Sequence, residues 1–372
     1  MCNYKIILNF CLLILLVSCG QKEKSERDIE CINIDYHKAE KENISSIPES
    51  IMGASRYILV KEESAEFLCQ NFDKIEYYKD RFFILDFFKK KLVVCDKWGN
   101  LVAKVGRRGN GPGEYMNIVD FDVDSKGSVY CLDGQLDKLF IYDSNLKEKS
   151  NLKLSFEADA IQIFDNGDFL FALSSWNKGE GKGYKLMITD NKLKIKHLLL
   201  PFDEYIDDNY WISMISFTQH QGNIIYNRPI DNNIYVLHPE GEIQSFLFDF
   251  GVQNVPDEDK KNIEANIGKF QNYTLLKSPI LSTDDYIVGT LLDGMETRFF
   301  VYDIKANKRY EGIGRDESDD SQFVGYSEPY VISVINPIME LAEDETRLFP
   351  DSVKNHILHE GHVIVLRQLY GN

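Results

Sequence analysis

The chain has 372 residues, 44% of them hydrophobic and 27% charged, which supplies ample apolar material for a core. Its formal charge of −17 repels phosphate backbones and anionic head groups alike. That excludes nucleic acid as a partner and membrane attachment through a basic patch. Phe and Tyr number 23 and 20 against only 3 Trp, a bias that suits pleated strands. From the start of the chain, Lys5 is followed by an almost wholly apolar run, Ile6–Val17. As a helix this run would reach only about 18 Å, short of a hydrocarbon core roughly 30 Å thick. A basic start, a short apolar region and small residues after it describe a secretory signal.

The end of that signal is more specific. Leu16-Val17-Ser18-Cys19-Gly20 resembles the bacterial lipobox, in which the cysteine thiol takes a diacylglycerol and the chain is cut just before it. The resemblance implies a lipoprotein signal over 1–18 and a membrane attachment through lipid on Cys19. Two or three acyl chains, at about 0.8 kcal/mol per buried CH₂, hold firmly where one does not. The charged stretch Gly20–Asp28 lacks apolar periodicity and reads as a solvated tether, with anchor and tether together over 19–54. It also resembles the Lys/Glu/Asp-rich stretch that can direct lipoproteins of the Bacteroidota to the cell surface. The expected location is therefore the outer membrane, facing the periplasm or the cell surface.

With the signal gone and Cys19 lipidated, Cys31, Cys69, Cys95 and Cys131 remain. There is no CxxC and no short-spaced framework. Cys95 and Cys131 sit inside apolar strand patterns, and reduced, buried thiols are expected.

The rest of the chain repeats. Strand-like runs end at turn residues Asp96, Asp143, Asp190, Pro239 and Asp303, spaced by 47, 47, 49 and 64 residues. Each run is preceded by another, such as Phe82–Leu85 or Val129–Leu132, and followed by a polar turn and a further strand. A period in the forties with about four strands per unit is that of a propeller blade. Between the first two anchors, Gly106-Arg107-Arg108-Gly109-Asn110-Gly111-Pro112-Gly113-Glu114-Tyr115 and then Asp124-Ser125-Lys126-Gly127 resemble one NHL-type repeat. No GK[ST] follows that loop, and a strand comes next, so phosphate binding is rejected.

Over 55–372 the chain resembles the six-bladed β-propeller lipoproteins abundant in Bacteroidota. The resemblance implies an all-β fold of six four-stranded antiparallel blades. The sixth blade would use Tyr330–Ile335 and His362–Arg367, with Arg56–Val60 supplying a strand from the other end of the chain. That join closes the ring and leaves no free edge. Two short helical insertions are expected, one opening at Val255–Lys261 and one at Pro337–Val353.

No catalytic set emerges. His356, His359 and His362 are spaced by three, but Gly361 and the β-rich run from Val363 end any helix before His362, which argues against a metal site. Acid pairs such as Asp207-Asp208 and Asp284-Asp285 lie in polar turns, and no G-x-S-x-G elbow appears. Neither a cofactor nor a metal is expected. The ligand-binding candidates are large recognition side chains in loops: Arg107, Arg108, Tyr115, Trp176, Trp211 and Arg228. The expected protein is a monomeric, non-enzymatic binding or scaffold propeller for a glycan, peptide or protein ligand. The alternative is an envelope lyase or hydrolase with its site in the propeller mouth.

Overall fold

The computed structural model describes residues 29–43, 47–61, 68–202, 214, 216–228, 230–294, 296–313, 322–337 and 349–370. Three strands come first: β1 (Glu30–Asp35), β2 (Glu40–Asn43) and β3 (Arg56–Leu59). Blade 1 follows as β4 (Lys74–Tyr78), β5 (Arg81–Asp86), β6 (Lys91–Asp96) and β7 (Leu101–Lys104). Blade 2 is β8 (Ile118–Val123), β9 (Val129–Asp133), β10 (Lys138–Tyr142) and β11 (Glu148–Lys153). Blade 3 is β12 (Ala158–Ile163), β13 (Phe169–Leu173), β14 (Tyr184–Thr189) and β15 (Ile195–Pro201). Blade 4 is β16 (Thr218–His220), β17 (Asn223–Asn227), β18 (Asn233–Leu237) and β19 (Ile243–Asp249). Blade 5 is β20 (Thr274–Ser282), β21 (Tyr286–Asp293), β22 (Glu296–Asp303) and β23 (Lys308–Ile313). Blade 6 is β24 (Gln322–Ser327), β25 (Tyr330–Ile335) and β26 (Val363–Gln368), completed by β3. The six antiparallel blades form a β-propeller.

The near-continuous apolar runs of the middle strands follow from the ring. Each sheet is pressed between two neighbours, so both faces of its pleat are buried. In β5, Phe82 and Ile84 pack toward blade 6 against Val324, Ile332 and Ile364. The alternate residues Phe83 and Leu85 pack toward blade 2 against Phe121, Cys131 and Phe140. Period-two alternation still operates, but it sorts residues between two cores rather than between core and water. Outermost strands have water on one side, and β11 (Glu148–Lys153) is accordingly polar and mostly exposed.

Blade 6 closes as the sequence predicts: β3 pairs antiparallel with β26, Ile58 opposite Ile364 and Tyr57 opposite Val365. The N-terminal segment does more than the expected tether. Strand β1 adds to the outer edge of blade 4 in parallel with β19, and β2 adds to blade 5 in parallel with β23. The sequence reading starts the propeller at residue 55, whereas the structured body already includes these strands. They are short and lie outside the repeat, and β2 is wholly polar. They are held by Tyr36, buried among Phe248, Phe250 and Phe300, with the Arg309 guanidinium 4.4 Å from its ring centre. Lys41 pairs with the buried Glu311 at 3.0 Å.

The recurring aspartates turn out to cap hairpins. Asp96 Oδ1 accepts from the N–H of Trp98 and of Asn100, both at 2.9 Å. Asp143 repeats this with Asn145 and Lys147, and Asp190 with Lys192 and Lys194. The N–H groups of Lys194 and Lys192 hold the Asp190 carboxyl below the ordinary carboxylate range. The glycine loop links blades 1 and 2. Gly106 has φ +63°, and a Cβ there would stand 2.3 Å from the Tyr142 hydroxyl. Gly106→Val is therefore expected to lower stability by about 2 kcal/mol or more, through left-handed strain and overpacking. Chemical denaturation should show this as a lower midpoint with an unchanged slope.

The first insertion contains α1 (Asp257–Lys260) and α2 (Ile263–Asn266), the latter capped by the Asn262 side chain accepting from Ala265 N–H. The second contains α3 (Asp351–Leu358), which begins later than expected; residues 338–348 lie outside the described residues. No helix among the described residues is long and apolar enough to cross a membrane. None of the four forms a disulfide; Cys95 and Cys131 are buried, Cys69 is half-buried and Cys31 is exposed. The expectation of burial fails at Cys31, because it sits on the fifth, outermost strand of its sheet.

Candidate functional site at the channel mouth

The first strand of each blade lines the central channel, and the turns after these strands share one face. A cavity of about 330 Å³ opens there, lined by residues of five blades, among them Lys74, Glu76, Asp122, Gln162, Gln219 and Tyr326. Its floor is a charged cluster. Lys74 donates to Asp120 Oδ1 at 2.9 Å and to the Phe121 carbonyl at 2.6 Å, with Glu76 Oε1 at 3.3 Å. The carboxylates also fasten neighbouring blades. Glu76 accepts from Val123 N–H at 2.9 Å, Asp120 from Ile161 N–H at 2.8 Å and Asp122 from Ile163 N–H at 2.6 Å. Gln162 donates to the other Asp122 oxygen at 2.7 Å. Hydroxyls do the same work elsewhere in the ring: Ser327 accepts from Tyr77 N–H, and Thr218 donates to the Ile280 carbonyl.

Three carboxylates share one ammonium in a water-poor setting. Burial, reinforced by the nearby Asp122 carboxylate, pushes Glu76 well above the ordinary range against the pull of Lys74. Burial pushes Asp122 up to about 6, again opposed by Lys74. Burial works against the charge of Lys74, but Asp120 and Glu76 outweigh it and keep the ammonium protonated. Burial and the neighbouring acids therefore favour the protonated form of Glu76 over the charged one.

A second cavity of about 280 Å³ adjoins on the same face, between blades 4 and 5. His220, Asn223, Gln244, Phe246, Val236 and Ile32 of β1 line it from the blade 4 side.

The loop candidates belong to the opposite face, where chain connections between second and third strands, and between blades, are found. Arg107, Arg108, Trp176 and Arg228 share that face, yet none of them lines either cavity. Arg107 is exposed and paired with Glu114 at 2.7 Å. Arg108 donates to the Met116 carbonyl at 3.2 Å. Arg228 is only 4% exposed and lies over the Phe202 ring. Trp176 is 42% exposed. Tyr115 is not available to a ligand: at 1% exposure it packs with Phe121 and Tyr142 in the core between blades 1 and 2. An aromatic two residues past the loop glycines is the wedge that seats the next blade. Trp211 lies outside the described residues, as does Cys19. His356, His359 and His362 each meet a different backbone carbonyl, and His362 stacks on Phe72 at 4.2 Å.

The channel residues were missed in the sequence, although they left a mark. Lys74/Glu76 and Asp120/Asp122 are polar pairs two apart inside otherwise apolar first strands.

A family model described as a domain of unknown function, DUF4934, matches residues 31–336. The chain belongs to the DUF4934 family. The match begins at β1, in keeping with the N-terminal strands being part of the body. No curated protein matches the sequence. A protein of Bacteroides fragilis described as exported is similar in structure, with TM-score 0.73 and 17% identity over 91% of this chain and 99% of that one. A DUF4221 family member from Bacteroides vulgatus has TM-score 0.55 and 10% identity, covering 87% and 98%. A virginiamycin B lyase from Staphylococcus aureus aligns at TM-score 0.45 and 11% identity, covering 85% and 99%, too remote to bear on chemistry. At these identities the similar structures establish the propeller fold.

Proposed function

We propose that this DUF4934 protein is a lipid-anchored binding propeller of the cell envelope that holds a polar ligand in its channel mouth without converting it. One observation carries the reading. The carboxylates of the cavity floor are committed to fastening blades: Asp120, Asp122 and Glu76 each accept a backbone N–H from the next blade. A general acid or base must be free to reach its substrate, and these groups are held elsewhere. What faces the opening includes amides, tyrosines and hydroxyls, such as Gln162, Gln219, Tyr326 and Ser327. Such groups fix orientation in binding sites. The apolar leader, the lipobox ending at Cys19, and a fold-mate described as exported support an outer-membrane location, facing the periplasm or the surface.

A second reading, an envelope lyase or hydrolase, has one observation in its favour. Glu76 lines the cavity, and burial pushes its carboxyl toward the protonated form that a general acid needs. Equilibrium dialysis against the small-molecule pool of an envelope extract separates the two. A solute retained by the protein, lost in Tyr326→Ala and recovered with unchanged mass supports the binder. A product of altered mass that disappears in Glu76→Gln establishes the enzyme instead.

The anchor has its own test. Cys19→Ser should abolish labelling by a fatty-acid analogue and move the protein from the membrane to the soluble fraction. Undiminished labelling of that variant would remove the lipid from the proposal.

A further inference from the structure

The two cavities on the channel-mouth face are not independent. Gln221 lines both. His220 lines the outer one, and its Nδ1 stands 3.9 Å from a carboxylate oxygen of Glu328, which lines the inner one. The Tyr326 ring of the inner cavity meets the His220 ring edge-on at 6.1 Å. Building on the binding role assigned above, we infer that the cavities form one continuous site for a neutral, hydroxyl-rich chain, an oligosaccharide lying from the propeller axis toward the rim.

Three features select that chemistry. The first is charge. Asp122, Asp165, Asp284 and Glu328 face the two cavities against the ammonium of Lys74. Phosphates and acidic sugars are repelled by that balance. The second is the state of the backbone at the channel. Extended peptides are commonly held by strand addition, which needs unpaired backbone groups. Along the channel, the N–H groups of Tyr77, Val123, Ile161 and Ile163 are taken by side chains of the preceding blades. Recognition is left to side chains. The third is the mixed lining of the outer cavity. Phe246, Val236 and Ile304 offer apolar surface, and Asn223, Gln244 and Thr283 beside them offer amides and a hydroxyl. A sugar ring likewise carries C–H groups on its faces and hydroxyls at its edge, each hydroxyl both donor and acceptor.

His220 shows that the site is unfinished without a ligand. Its side chain is 12% exposed, and neither ring nitrogen has a hydrogen-bond partner among the described residues. A buried polar group in that condition is destabilising. A ligand hydroxyl can serve either tautomer, accepting from one nitrogen or donating to the other.

The test is calorimetry on the full mature chain in detergent, titrated with neutral linear hexose oligomers from di- to hexasaccharide. Pentalysine and an oligogalacturonate are run beside them. Affinity should rise by about tenfold once the chain is long enough to reach the second cavity, then level off. Asn223→Ala with Gln244→Ala should remove that gain and leave the shortest binder unaffected. His220→Phe should also remove it while raising the melting temperature, since the ring volume is kept and the unpaired nitrogens are gone. A length-independent affinity overturns the joined site. Binding of pentalysine in preference to every oligosaccharide overturns the ligand class, as does failure of all the oligosaccharides to bind. In either of the last two cases the dialysis experiment still decides, separately, whether the channel mouth binds a solute at all.

Discussion

Lys74→Met should cost the fold about 3–5 kcal/mol at pH 7, because it leaves buried carboxylates without their counter-charge. Lys74 is 2% exposed and is the cation for Asp120, Glu76 and, at longer range, Asp122. These acids in turn fasten blades 1, 2 and 3 through backbone N–H groups, so the loss should spread across the channel side of the ring. The deficit has a defined pH dependence. In the wild type the folded pKa of Asp122 is raised to about 6, and burial also raises that of Glu76 well above the ordinary carboxylate range. Without the lysine both rise again. A carboxyl whose folded pKa exceeds its unfolded value contributes stability while protonated and loses it as pH climbs through the folded value. The variant should therefore approach the wild type near pH 4 and fall away toward pH 7. Denaturation midpoints measured at both ends give the comparison, and a deficit of equal size at pH 4 and pH 7 would refute the shared-proton account.

Deleting residues 55–61 should remove cooperative unfolding altogether. Strand β3 is the fourth strand of blade 6, contributed from the opposite end of the chain, and it pairs with β26 over four residues. Its loss strips Ile58 and Val60, 4% and 1% exposed, from the core. Each such side chain contributes about 1.5–3 kcal/mol on burial. The deletion also bares an edge of β26 that invites pairing with another chain. Broad, probe-dependent melting together with larger species in sedimentation is the expected result. A sharp transition at the wild-type temperature from a monomer would show that the ring closes through other contacts.

These two variants fall on different sides of what the sequence discloses. The closing strand was readable from Arg56–Val60, because a blade lacking its fourth strand can be finished only by an apolar run left over elsewhere. The Lys74 cluster was not, since Lys74, Asp122 and Gln162 lie on three blades and meet only around the axis. The recurring Asp96, Asp143 and Asp190 gave the repeat its period, and in the structure they are hairpin caps. Repetition in sequence therefore marked the parts that every blade needs, while the candidate site is assembled from residues that differ between blades.

By itself the sequence determined a repeat of short strands at the blade spacing and the strand that closes the ring, because strand periodicity and turn chemistry are local; the count of six blades came with the family resemblance and holds in the structure. It also marked Arg107, Trp176 and Arg228 as loop residues, and their common face follows from strand alternation alone. Burial was decided by the tertiary structure. The same loop that presents Arg107 to water drives Tyr115 into the core, and Cys31 is exposed while Cys131 is sealed. Only the fold could show that β1 and β2 join blades 4 and 5, since two short strands ahead of the repeat carry no signal of which sheet edge they meet. Only the fold could bring His220 of blade 4 within 3.9 Å of Glu328 of blade 6. Contacts around a ring axis depend on how the blades are disposed in space, and residue spacing along the chain does not carry that information.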